Sequence, residues 1–287
     1  MGWELDVSMI VAKNLDAALF ALREHDDALV IQGGTDLMVE INFNHLKPTT
    51  MVSLRHIPEL RTITRPDSNT ISIGSGVPYS QLEIEPVASV LPALAQASRT
   101  VGSPQIRAAG SLGGNLGTCS PAGDTLPVMF ALDANIHLQS ADSQRTVSIH
   151  QFMTGVKRNV KRQDEIITAV DFPIIDGWQG YSKVGVRNAM VISVASACLV
   201  ADHESGDVRL ALGSVGPTII RCRETEQWLK DNTSLTRNSV ISPDIAREFG
   251  ARASRECSPI DDHRSTAQYR RHAISILAAR LLQKAYA

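Results

Sequence analysis

The chain has 287 residues, with 28 Lys and Arg against 30 Asp and Glu, a formal charge of −2 and 43% hydrophobic residues. That length favours two domains with real cores, and the balanced charge supplies no broad positive field, which removes nucleic acid and anionic membrane as default partners. The longest weakly polar run, Val191 to Ala201, is far shorter than the roughly 20 apolar residues a membrane-spanning helix needs.

At the N-terminus, Glu4 and Asp6 stand where an export signal would carry positive charge, and Asp6 also stands where a myristoylation signal wants Ser or Thr. A cytoplasmic protein is expected. Leu15 to Leu22 carries apolar residues at helical spacing, and Ala28 to Ile31 reads as a buried strand that empties into Gln32-Gly33-Gly34-Thr35-Asp36. A helical or extended segment follows from Leu37. Met51 to Leu54 and Thr70 to Gly74 read as strands, and Tyr79 to Arg99 as helix interrupted by Pro86 and Pro92. Gly102 to Pro127 is dense in Gly, Ser and Pro and is expected to be a long functional loop. Strands are then expected over Ala134 to Leu138, Thr146 to Ile149 and Glu165 to Phe172.

A turn-rich stretch from Pro173 to Gly180 marks the expected domain boundary. Beyond it the pattern gives strands around Gly180 to Val186, Ile192 to Asp202 and Val208 to Val215. Helices follow near Ile219 to Leu229, Pro243 to Ala253 and Thr266 to Tyr286. Strands followed by helices make this part α+β.

Searches for a nucleophile elbow, a P-loop, a zinc-protease motif and a calcium loop all fail. The eight histidines are scattered singly, and Cys119, Cys198, Cys222 and Cys257 form no ligand pair, so no catalytic residue and no metal site are expected. What remains is two glycine pairs in small polar settings, Gly33-Gly34 before Thr35-Asp36 and Gly113-Gly114 before Asn115. Adjacent glycines let successive N–H groups point into one concavity that a phosphate oxygen can approach, and two such nests facing each other suit a pyrophosphate. The alternative is that each pair marks an ordinary tight turn. Neither pair has the G-x-G-x-x-G spacing of a nicotinamide Rossmann site.

The segments VIQGGTDLMVEIN (Val30 to Asn42) and SPQIRAAGSLGGNLGTCSPAGDTLPVMFALDA (Ser103 to Ala134) resemble the FAD-binding medium subunit of molybdenum hydroxylases. That group includes xanthine dehydrogenase, carbon monoxide dehydrogenase and aromatic N-heterocycle hydroxylases. The likeness extends through Tyr181 to Ala201, Val208 to Cys222 and Ser265 to Leu282. The resemblance implies an α+β protein: a PCMH-type FAD-binding region over 1–175, made of two α/β subdomains divided near residue 57, and a C-terminal domain of antiparallel sheet and helices over 176–287.

Carried over residue by residue, the first FAD loop falls on Ile31, Gln32, Gly33, Gly34, Thr35, Asp36 and Leu37, and the second on Ser111, Leu112, Gly113, Gly114 and Asn115. Val101, Gly102 and Ile106 match positions lining the flavin pocket. Thr118, Gly123 and Asp124 match the stretch near the ribityl chain and ring, Ile166 and Ile167 the adenine and ring edges, and Lys183 a lysine that contacts the flavin. On the residues alone, Asp124 could instead start the helix after it, and Lys183 could be a solvated strand lysine.

Two departures stand out. Relatives with an extra iron–sulfur cluster in this subunit carry a cysteine-rich insertion, which is lacking here, and Gln32 occupies a place where relatives often have a small residue such as Ala. The resemblance therefore implies a noncovalent FAD in this chain. It places the molybdenum cofactor on a large partner and [2Fe-2S] clusters on a small one, in a dimer of heterotrimers. The rival readings are a self-contained flavin oxidase or reductase, with Cys119 as the candidate for covalent attachment, and an assembly protein without cofactor.

Overall fold

A computed structural model describes residues 7–287. The N-terminal reading of Glu4 and Asp6 lies outside the described residues. The first unit is β1 (Ser8–Val11), α1 (Leu15–Glu24), β2 (Leu29–Ile31), α2 (Leu37–Asn42) and β3 (Thr50–Ser53), with the strands parallel in the order β1-β3-β2. Asn14 caps α1 by accepting from the Ala17 N–H, and the helix lays Ala18, Leu19 and Leu22 on the sheet.

The second unit opens with a 3-10 turn at Pro58–Arg61. It continues through β4 (Ile63–Asp67), β5 (Thr70–Gly74), α3 (Tyr79–Leu82), α4 (Val87–Val90), α5 (Pro92–Arg99), α6 (Pro104–Ala109), α7 (Leu112–Thr118) and α8 (Leu126–Ala131). Then come β6 (Asn135–Gln139), β7 (Gln144–Ser148), α9 (Ile149–Phe152), β8 (Met153–Gly155), β9 (Arg158–Asn159) and β10 (Ile166–Pro173). Its antiparallel sheet runs β4-β5-β10-β6-β7, and alternation along the strands sends Ile71, Ile73, Ile136, Leu138, Val170 and Phe172 into the largest core.

Only residues 174–176 separate β10 from the last unit, which is β11 (Gly177–Val184), β12 (Ala195–Asp202), β13 (Val208–Gly213), β14 (Ile220–Arg221), α10 (Arg223–Asn232), α11 (Pro243–Arg255) and α12 (Ala267–Ala285). Its antiparallel sheet runs β11-β12-β13-β14. The apolar run in β12 has a simple cause: the strand is covered on both faces. Ala197, Leu199 and Ala201 pack in the core with α11 and α12, while Cys198 and Val200 join the core of the second unit. The C-terminal sheet is thereby fastened to the second unit through a shared apolar layer.

The expected loop over Gly102 to Pro127 is corrected by the structure, which folds most of it into α6, α7 and the start of α8. Ser103 and Ser111 cap α6 and α7, accepting from the Ile106 and Gly114 N–H groups, and Leu112 and Leu116 anchor α7 in the core. Glycine disfavours helix by about 1 kcal/mol per residue, and here that cost is offset by burial. Helix α10 likewise begins at Arg223 rather than near Ile219, because Ile220 and Arg221 pair with β13 first.

Candidate functional site

Strand β2 ends at Ile31, and the chain turns through Gln32 to Asp36 before α2. Among the described residues none of the N–H groups of residues 32–37 donates to a protein acceptor, which leaves a row of donors at the carboxyl end of a parallel strand. Gly34 makes the turn with φ +68, a left-handed conformation that side chains disfavour. At Gly33 an added Cβ would collide with the Ala109 carbonyl oxygen, so this loop lies directly on the end of α6 and the start of the second glycine loop. Thr118 ties the two further by donating to Asp36 Oδ2 at 2.9 Å.

The second loop is held from below. Gly113 N–H donates to the Ser75 carbonyl at 3.0 Å, and a Cβ there would lie 2.6 Å from Ser75 Cβ. Ser111 bridges to Pro78, and the Tyr79 N–H donates to the Gly110 carbonyl at 3.0 Å. On the open side of α7 the situation is opposite. A Cβ on Gly114 would meet only Ser111 Oγ at 3.7 Å, and one on Gly117 would meet nothing within 4 Å. Positions three apart share a helix side, so α7 presents a strip free of side chains, next to the unpartnered N–H row. The two glycine loops predicted from the sequence are thus packed against each other. Sequence reasoning missed the Ser75-Gly76 turn that links them, although the Gly74-Ser75-Gly76 triplet after a strand was a visible signal.

The other candidates divide into three groups. Asn115 is committed to the fold: its Oδ1 accepts from Thr125 Oγ1 at 2.6 Å, and its amide packs on Gly123. Asp124 is buried between β11 and the region ahead of α8, where Tyr181 donates to Oδ1 at 2.9 Å and Lys183 to Oδ2 at 2.6 Å. Burial pushes the Asp124 carboxyl up, against the pull of the Lys183 ammonium and the Tyr181 hydroxyl. It makes no cap bond to α8, whose preceding residue is Thr125. Lys183 is not a solvated lysine, because it also donates to the Thr100 carbonyl at 2.8 Å and the Val191 carbonyl at 3.1 Å. Val101 and Gly102 continue from Thr100, their carbonyls accept from Arg107, and Gly102 sits on Ile106.

The third group turns inward. Leu112, Ile166 and Ile167 have buried side chains, Ile166 in the core of the first unit and Leu112 and Ile167 in that of the second. Only their main chain is available to a ligand. Ile31 and Leu37 are half-buried at the two ends of the first loop. Cys119 is wholly buried as the left-handed cap of α7, and burial pushes its thiol up to about 12, which disfavours the thiolate that attachment chemistry needs. Among the described residues no group of three His, Cys, Asp or Glu is arranged to hold a metal ion, and no helix is long and apolar enough to cross a membrane.

A parallel strand end with unpartnered donors and a nearby helix side free of side chains have the chemistry to accept an anionic diphosphate, without the Rossmann glycine spacing. Residues 5–175 match the family model described as the FAD binding domain in molybdopterin dehydrogenase, and residues 181–285 match the carbon monoxide dehydrogenase flavoprotein C-terminal domain. The chain belongs to this family of flavoproteins. Among curated relatives, it is 33% identical to the nicotinate dehydrogenase FAD-subunit of Eubacterium barkeri, over 78% of this chain and 79% of that one. It is 28% identical to the glyceraldehyde dehydrogenase medium chain of Sulfolobus acidocaldarius, over 97% and 98%. Among solved structures it is similar to carbon monoxide dehydrogenase from Hydrogenophaga pseudoflava, with a TM-score of 0.88, 25% identity, and coverage of 98% of this chain and 97% of that one. The residues present fit FAD: the donor row suits two phosphates, and the bare strip leaves room for them.

Proposed function

We propose that this chain is the flavin-carrying subunit of a heteromeric molybdenum hydroxylase. In this reading it accepts electrons from [2Fe-2S] clusters on a small partner and passes them to an external acceptor, while a large partner holds the molybdenum cofactor and the organic substrate. The observation that carries it is the pair of glycine loops packed on each other with the N–H groups of residues 32–37 unpartnered. Relatives named as medium chains or medium subunits, such as the carbon monoxide dehydrogenase medium chain and the nicotine 6-hydroxylase medium subunit, support the division into three subunits. A cytoplasmic dimer of heterotrimers is the assembly this reading takes.

FAD supplies the redox chemistry when bound. The protein's part is to hold and orient it. The N–H groups of residues 32–37 and the open strip at Gly114 and Gly117 receive the diphosphate, and Ser75 and Asn115 fix the second loop through the hydrogen bonds described above. Lys183 and Tyr181 hold the Asp124 carboxylate at the seam with the C-terminal sheet. In this reading no side chain of this chain need act as acid or base on the organic substrate.

Co-expression with a large molybdenum chain and a small cysteine-rich chain tests the reading. The expected result is a three-subunit complex whose flavin is bleached by the complex's organic substrate, while the isolated chain's flavin is not. Bleaching of the isolated chain by that substrate would mark it as a self-contained oxidoreductase.

A further inference from the structure

Helix α7 carries three glycines in seven residues, a composition that disfavours helix, and its last turn is held from outside. Carbonyls at the end of a helix have no partner within it. Those of Leu116 and Gly117 accept from Asn159 Nδ2 at 3.2 and 3.1 Å, and that of Cys119 accepts from the Lys157 N–H at 3.2 Å. The Asn159 amide has one orientation, because its Oδ1 accepts from the Lys161 N–H at 3.0 Å. Both donors belong to the hairpin of β8 and β9, whose Lys157 ammonium also pairs with Glu40 on α2. One hairpin thus grips the second glycine helix and the helix that follows the first glycine loop. Asn159 does so at Gly117 itself, where a Cβ would meet nothing within 4 Å.

We infer that Asn159 is a positioning residue for FAD: its amide keeps the last turn of α7 helical, so that Gly114 and Gly117 present one bare side to the diphosphate. The assignment rests on the flavin reading above. A side chain at either glycine would favour the helix, but it would also fill the open space beside it. The helix therefore cannot carry its own stability on the side the ligand uses, and a donor from a neighbouring strand supplies it. Leu116 is anchored in the core, which leaves Gly117 and Thr118 as the part that frays when the amide is lost. Thr118 also carries the bond to Asp36 of the first loop, so fraying there loosens both loops. When only a fraction of the apoprotein is competent to bind, apparent affinity falls by that fraction. Asn159 needs no contact with the ligand: it raises affinity by keeping that fraction near one.

The test is FAD titration of the full-length apoprotein, read by flavin fluorescence, with amide hydrogen exchange over residues 115–119 and urea midpoints of the apo forms. Asn159→Leu keeps the bulk and removes the donor, and Asn159→Ala removes both. Both variants should bind FAD about tenfold more weakly, as for the loss of the amide's two hydrogen bonds set against the fraction that stays helical. Exchange over residues 115–119 should quicken severalfold in the variant apoproteins and return to the wild-type rate at saturating FAD. Their apo midpoints should stay near that of the wild type, because the opening is local. Wild-type affinity in Asn159→Leu would overturn the inference. Weaker binding with unchanged exchange over residues 115–119 would also overturn it, since the amide would then act elsewhere. So would variant apoproteins that do not fold, since the amide would then serve the fold as a whole. A wild-type apoprotein that takes up no FAD would overturn the flavin reading and the Asn159 assignment together, whereas normal uptake with an unaffected Asn159→Leu overturns the assignment alone.

Discussion

Lys183 Nζ lies 2.6 Å from Asp124 Oδ2, and this ion pair joins β11 of the C-terminal sheet to the turn ahead of α8. The side chains are only 9% and 8% exposed, so neither charge can fall back on water if the other is removed. Breaking a buried pair on one side costs about 3–5 kcal/mol. Lys183→Met and Asp124→Asn should each destabilise the chain by roughly 3 kcal/mol in urea unfolding. The double variant should lose less than the sum, because the stranded partner is what makes each single change costly. Additive losses would mean the two groups act independently.

The two glycines of the second loop should respond in opposite ways. Gly113 faces Ser75 with no room for a methyl group, so Gly113→Ala should destabilise the fold by about 1–3 kcal/mol through overpacking. Gly114 faces open space, so Gly114→Val should fold with a near-normal urea midpoint and fail to retain FAD. Flavin content and unfolding midpoint, measured on both variants, separate these roles. A Gly114→Val chain with full FAD would mean the diphosphate does not lie over α7.

Much of this was legible in the sequence. Strand β5 was expected over Thr70 to Gly74 and is found there, because period-two alternation is a local signal. The two glycine pairs pointed to nests, and the structure brings those loops together. The helices between Gly102 and Pro127 were hidden because their glycines are tolerated for a tertiary reason, the contact of Gly113 with Ser75, which local propensity does not record. Strand β1 was missed because it is an edge strand with Met9 and Val11 exposed, so it lacks the buried alternation that marks a half-covered strand. The partners of Lys183 were beyond a sequence reading for a similar reason: Asp124 lies 59 positions away, and the carbonyls of Thr100 and Val191 carry no residue signature.

Acid should loosen the C-terminal domain through Asp262. Burial works against this carboxylate, but the N–H groups of Arg264 and Ser265 and the guanidinium groups of Arg270 and Arg264 hold it well below the usual carboxylate range. Arg270 in turn donates to the carbonyls of Val194 and Ser214, so the carboxylate orients the group that ties the start of β12 to the end of β13. A group with a depressed folded value contributes stability that is fully present above its unfolded value, near 4. That contribution shrinks as pH falls below this value and is gone once pH passes the folded value. Unfolding free energy should therefore fall as pH drops below about 4, and Asp262→Asn should flatten that fall while lowering stability at neutral pH. An unchanged acid limb in the variant would assign the loss to other carboxylates.

All four cysteines are buried, and burial pushes the Cys119 and Cys257 thiols up to about 12. A thiol reagent applied to the native chain near pH 8 should label none of them within the time that denatured chain is fully labelled. Rapid native labelling at Cys119 would reopen covalent attachment of the flavin.

Noncovalent FAD on the two packed glycine loops is the core of the proposed function. Acid precipitation of the purified chain, with chromatography of the supernatant, tests it most directly. One FAD released per chain and a colourless pellet are expected. A colourless protein that cannot be reconstituted with FAD, or colour that stays with the pellet, would contradict it.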